Sequence, residues 1–187
     1  MPRTALLIVD VQRDFLPGGA LGVPDGDAVL APLARLAREA DLVVASRDWH
    51  PGDHCSFAER GGDWPAHCVQ GTPGAELDAR VTALRPDLLV SKGDRADREA
   101  YSAFDGTGLA EELRERGVER LLVGGLATDY CVRASALDAL RAGFDVVVVE
   151  DAVRAVDVQP GDGERALAEV REAGGTVAAS DRLPVHG

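Results

Sequence analysis

The sequence predicts an α/β fold: a three-layer αβα domain around a central six-stranded, mostly parallel, Rossmann-like sheet. Three observations predict it. Six short apolar runs recur along the chain, segments of helical spacing separate most of them, and glycines close those segments. Continuous apolar runs of three to five residues suit strands buried on both faces, as in a parallel sheet covered by helices. Strand, helix and glycine stop, repeated, read as βαβ units.

The runs are Ala5–Val9, Leu42–Ala45, Leu88–Val90, Leu121–Val123, Val146–Val149 and Val177–Ala179. After the first, Val29, Leu33, Leu36 and Ala40 fall three or four apart, and Pro32 implies that this helix starts late or bends. Leu109 and Leu113 follow Thr107, an N-cap candidate, and Gly117 ends that helix. Ala134, Leu137 and Leu140 precede Gly143, and Leu167 and Val170 precede Gly174. Between Trp49 and Thr82 the alternation fails, and the stretch is rich in Gly, Pro, His and Asp. A loop of this length in a folded domain is usually functional. Residues 1–187 therefore read as one domain with a binding loop at about 49–82. Residues after Ser180 read as a fraying tail.

Composition narrows the function. Forty-five per cent of the 187 residues are hydrophobic, enough for a core, and the net charge is −12. Nucleic acid and anionic membranes both call for an excess of Lys and Arg, so neither is expected as a partner. Three cysteines do not suggest a disulfide framework. The first apolar run meets Asp10 at once, which reads as a buried strand rather than a signal peptide, and no stretch is long enough to span a bilayer. These features place the protein in a reducing cytoplasm.

In an open parallel sheet, ligands bind beyond the carboxyl ends of the strands. Asp10 follows the first run, Asp48 and His50 the second, Lys92 the third and Cys131 the fourth. Cys131 sits at a strand-to-helix turn, where a helix N-terminus would lower a thiol pKa and offer N–H groups to an oxyanion. Taken alone it could equally be a structural thiol. Asp10 could be a turn carboxylate and Lys92 a solvated ammonium. Together they form a working set: a carboxylate base, an ammonium and a sulfur nucleophile. Asp48, His50, His54 and His67 form a second cluster, suited to zinc or ferrous iron. Cys55 and Cys68, beside two of these histidines, leave a thiolate zinc site as the lesser alternative. Among the histidines only His186, in the tail, stands outside the second cluster.

Five motifs resemble those of the nicotinamidases, or pyrazinamidases, of the isochorismatase-like cysteine hydrolases. They are Asp10-Val-Gln12-Arg-Asp14-Phe15, Arg47-Asp48-Trp49-His50-Pro-Gly-Asp53-His54, Trp64-Pro-Ala-His67-Cys68-Val69-Gln-Gly71-Thr72, Lys92-Gly93 and Gly125-Leu-Ala127-Thr128-Asp129-Tyr130-Cys131-Val132. The resemblance covers about residues 4 to 180. It implies hydrolysis of nicotinamide to nicotinate and ammonia in NAD salvage, through a cysteine thioester, with pyrazinamide also accepted. It implies a triad of Asp10, Lys92 and Cys131 and an oxyanion hole from the N–H groups of Ala127 and Cys131. The substrate residues it implies are Phe15, Trp64, Ala127 and Tyr130, and it places a cis peptide bond at Leu126–Ala127. Asp48, His50, His54 and His67 would hold one divalent ion, either zinc, iron or manganese, facing the pyridine nitrogen. Rival readings are an amidase for ureido or carbamoyl acids, a metallohydrolase using metal-bound hydroxide, and a non-catalytic binding protein. Whether the chain is a monomer or a homo-oligomer is left open by the sequence.

Overall fold

Alternation sets the layers. Along β1 (Arg3–Val9), Ala5, Leu7 and Val9 enter one apolar cluster while Leu6 and Ile8 enter another. The same division runs through β2 (Leu42–Asp48), β4 (Val118–Leu126) and β5 (Asp145–Arg154). Both faces of the sheet are therefore buried, as the continuous apolar runs require. The computed structural model describes residues 3–183. With β3 (Leu88–Lys92) and β6 (Thr176–Ala178), the six strands form one parallel sheet in the order β3-β2-β1-β4-β5-β6.

Helix α1 (Leu30–Leu36) and the short α2 (Ala79–Thr82) pack on one face. Helices α3 (Leu109–Glu115), α4 (Arg133–Arg141) and α5 (Asp162–Glu172) supply Leu109, Leu113, Ala136, Ala139 and Val170 to the other. Pro32 sits in the first turn of α1, where no backbone N–H is needed, and a 3-10 turn over Gly26–Val29 leads into it. At α3, Gly108 with φ 72° takes the N-cap position in place of Thr107. Thr107 instead accepts the Leu109 N–H on its hydroxyl at 3.3 Å.

Strands β2 and β3 run further than their apolar cores, through Asp48 and Lys92. The residues taken as following these strands are their last members, paired across the ladder in register. The chain beyond Ser180 also departs from a fraying tail. Ser180–Arg182 form a 3-10 turn, and buried Ser180 donates its N–H to the Asp151 carboxylate at 2.8 Å. Residues 184–187, with His186, lie outside the described residues.

Two features position the site. The chain winds outward through β1, β2 and β3 and then returns to place β4 on the other side of β1, so strand order reverses between β1 and β4. This is where doubly wound sheets open a crevice. At that point Gly125, with φ 115°, lies against Val9, and a Cβ there would stand 2.1 Å from the Val9 carbonyl oxygen. Only glycine lets β4 approach β1 this closely. Gly125→Ala is expected to cost about 3 kcal/mol or more, from backbone strain and overpacking of roughly 1–3 kcal/mol each. A urea unfolding midpoint within error of the parent protein would contradict this.

Candidate active site

Residues at three neighbouring strand ends meet on one buried ammonium. β1 ends at Val9, and Asp10 turns out of the strand with φ 48°. Its carboxylate accepts the Ser46 hydroxyl at 2.7 Å on Oδ1 and faces Lys92 Nζ at 2.8 Å on Oδ2. Lys92 also donates to Asp48 Oδ1 and to the Ala100 carbonyl at 3.3 Å, and lies 3.4 Å from Cys131 Sγ. It is 1% exposed, so the solvated-lysine reading does not apply. Ligand atoms of Asp10, Asp48 and Cys131 all lie within 4.8 Å of one another.

Burial governs the charges. It pushes the Asp10 carboxyl above its usual range, with Lys92 opposing. It opposes the Lys92 charge too, but Asp10 and Asp48 outweigh it and keep the ammonium protonated. For Asp48, burial is outweighed by Lys92 and His50, which hold the carboxylate well below the usual range. The Cys131 thiol differs from expectation. Burial pushes it well above the ordinary thiol value, and Lys92 only partly offsets the rise. The turn carrying it, Thr128–Val132, is a single π turn ahead of α4 rather than the first turn of that helix. Burial thus favours the neutral thiol, and the buried Asp10 carboxyl beside it is pushed the same way. The peptide bond between Leu126 and Ala127 is cis.

The histidines divide unevenly. His50 donates Nδ1–H to the Gly93 carbonyl at 2.7 Å, and His67 donates to the Pro65 carbonyl at 2.8 Å. Both therefore turn Nε2 inward, toward Asp48 Oδ2 at 3.3 Å and 4.0 Å. His50 Nε2 is buried with no hydrogen-bond partner. Two imidazole nitrogens and a carboxylate oxygen lie within 4.8 Å of one another. An orphaned nitrogen in such a donor set fits a divalent cation, with backbone carbonyls fixing both rings.

His54 falls in a second group, with His50 and Glu99, whose ligand atoms also lie within 4.8 Å of one another. Its Nε2 donates to the Arg98 carbonyl at 3.0 Å, and its Nδ1 faces the Ser56 hydroxyl at 2.7 Å. Its ring stacks on His50, with centroids 4.0 Å apart. Among the described residues, no metal-competent group includes Cys55 or Cys68. Buried Cys68 packs in the core.

Above Cys131 opens a pocket lined by Phe15, Trp64, His67, Ala127 and Tyr130, with Asp48 at its metal-facing side. Trp64 and Tyr130 meet edge to face at 5.2 Å. The sequence motifs did not point to Tyr101 or Glu99, which also line it. Tyr101 accepts Trp64 Nε1–H at 3.3 Å, and its phenol is pushed up to about 12, chiefly by burial. Leu21, Val23, Leu126 and Val156 complete an apolar wall. Of these, Leu126 ends β4 within a quoted motif, whereas nothing local marked Leu21, Val23 or Val156, which lie outside the strands.

Comparison with known proteins agrees with this site. The isochorismatase domain model matches residues 4–182. The nicotinamidase of Escherichia coli is 39% identical over 202 residues, covering 95% of each chain. The zinc complex of the Pyrococcus horikoshii pyrazinamidase superposes with a TM-score of 0.86 at 49% identity, over 95% of this chain and 99% of that one. The L. infantum protein PnC1, crystallised with nicotinate, gives 0.91 at 40% identity over 97% and 94%. With a reversed six-stranded sheet, a buried carboxylate–ammonium–thiol cluster at its switch point and these relatives, the chain belongs to the isochorismatase family, in its nicotinamidase and pyrazinamidase branch.

Proposed function

We propose that the chain hydrolyses nicotinamide to nicotinate and ammonia, with Cys131 as nucleophile. One observation supports this reading above the others. The thiol lies at the floor of a pocket walled by aromatic rings, and among the described residues no Lys or Arg lines that pocket. Flat heteroaromatic rings gain from such walls. A ureido or carbamoyl acid would bring a carboxylate that finds no cationic side chain there, which disfavours the rival amidases. The acidic groups at the wall, Asp48 and Glu99, strengthen that discrimination.

The steps follow from the neighbours of Cys131. Asp10 takes the thiol proton as sulfur bonds to the carboxamide carbon. The N–H groups of Ala127 and Cys131 receive the oxyanion. Asp10 returns the proton to nitrogen as the C–N bond breaks and ammonia leaves. Water, losing a proton to Asp10, then attacks the thioester, the C–S bond breaks, and sulfur regains the proton. Lys92 keeps Asp10 oriented and balances its charge throughout. Phe15, Trp64 and Tyr130 hold the ring. A divalent cation held by Asp48, His50 and His67 would supply a Lewis-acid contact for the pyridine nitrogen. Zinc, iron and manganese all suit this donor set. The same pocket has room for pyrazinamide, whose ring differs by one nitrogen.

Cys131→Ala is expected to lower ammonia release from nicotinamide by at least about 10³-fold while retaining bound metal. Activity near the parent level would instead favour metal-bound hydroxide as the attacking group. Asp10→Asn keeps the shape of the side chain but not its basicity, and a loss of about 10²–10⁴-fold in kcat is expected. Stripping metal with a chelator should reduce kcat/KM for nicotinamide by roughly 10²-fold, and zinc, iron and manganese added back singly will rank the resident ion. An apoenzyme of full activity would remove the metal from the reading. Nicotinamide should exceed an N-carbamoyl amino acid in kcat/KM by at least about 10²-fold, and equal rates would overturn the assignment of substrate class.

A further inference from the structure

The ladder between β1 and β2 ends early. Its last registered pair is Ile8–Ala45, and Asp10 N–H still reaches the Ser46 carbonyl at 3.2 Å. Beyond this the two strands part, because Asp10 turns away with a positive φ. Asp48 is left with a buried N–H and carbonyl on the side β1 has vacated. Such groups are costly to bury unpaired. The side chain of Gln12 fills the gap. Its Oε1 accepts the Asp48 N–H at 2.8 Å, and its Nε2 donates to the Asp48 carbonyl at 2.8 Å and to the Ala75 carbonyl at 2.9 Å. Gln12 is fully buried, and all three bonds go to backbone.

We propose that Gln12 is a positioning residue that replaces the missing strand and sets the aim of the Asp48 carboxylate toward the divalent cation. One amide carries both a donor and an acceptor, as a peptide group does, so it continues the parallel ladder in side-chain form. The third bond, to Ala75, ties this mimic to the turn at Pro73–Ala75, so the metal half of the site is braced from the loop as well as the sheet. Asp48 has little freedom elsewhere. Its Oδ1 is held by Lys92, so a backbone shift at Asp48 would swing Oδ2 away from His50 and His67. The catalytic half has its own supports. Asp10 is held by Ser46 and Lys92, while the three side-chain hydrogen bonds of Gln12 go to Asp48 and Ala75; Gln12 reaches Asp10 only through its own N–H, on the Asp10 carbonyl at 2.8 Å.

This proposal rests on the reading that Asp48 holds the metal, and the experiment separates the two. Gln12→Met keeps length and volume but loses every hydrogen bond. Affinity for Zn²⁺ is measured by chelator competition and for Co²⁺ by its absorption bands. The expected result is a loss of tenfold or more in affinity, an altered Co²⁺ spectrum, and recovery of kcat/KM at high metal concentration. Alkylation of Cys131 by iodoacetamide, followed by peptide mass, should stay within twofold in the metal-free protein. If Gln12→Met does not fold, Gln12→Asn, too short to reach both Asp48 groups, is titrated in its place. Parent-like affinity in the soluble variant, with only a lower melting temperature, would reduce Gln12 to a structural role and overturn the proposal. Asp48→Asn is run in parallel. If it binds metal normally, the reading of Asp48 as ligand fails. If it loses metal while the Gln12 variant keeps it, the positioning role alone fails.

Discussion

The site depends on one buried ammonium, Lys92. An uncompensated charge at this depth would cost several kcal/mol, and so would each of the two carboxylates beside it. They are tolerable only together. Asp10 and Asp48 each give one oxygen to Lys92. The second oxygen of each carboxylate has a different duty. Asp10 Oδ1 is anchored on Ser46, and Asp48 Oδ2 faces the histidines. Lys92 thus joins the Asp10 and Cys131 side of the cluster to the Asp48 and histidine side. Removing its charge would disturb both at once, so the triad cannot be understood without Asp48.

The topology explains why such an expensive cluster can exist. β1, β2 and β3 deliver Asp10, Asp48 and Lys92 as successive strand ends, and the Asp48–Lys92 pair is fixed by ladder register. β4 delivers the π turn from the other side of the reversal. A π turn widens a helix locally and often marks a functional position. The close approach of Gly125 to Val9 keeps this turn near Asp10. Strand ends thus hold the polar cluster, while the loop over residues 49–82 contributes Trp64 and His67 to the pocket above it.

Much of this was legible in the sequence. Apolar runs revealed all six strands; burial on both faces removes polar residues from the middle of β1, β2, β4 and β5, while the edge strands β3 and β6 keep apolar residues that are only partly buried. Their ends were harder to read, since Asp48 and Lys92 are polar residues that remain in the ladder. The sequence groups His54 with the other histidines but does not show its neighbours: Ser56 and the Arg98 carbonyl, the second of them 44 residues away, face its two ring nitrogens. A turn at a helix start suggests a lowered thiol pKa, whereas the depth of burial, which only the folded chain shows, pushes it up. Gln12 lay in a quoted motif, yet its partners are backbone atoms, and no pattern of side chains could name them.

The depth of Cys131 has a consequence for the durability of the protein. Oxidants and stray electrophiles attack thiolates at exposed positions, and the sulfenic, sulfinic and sulfonic ladder begins there. Cys131 is 5% exposed, and burial pushes its thiol above the ordinary value. Both features disfavour adventitious oxidation, so the fold shelters this sulfur in a way a surface cysteine is not sheltered.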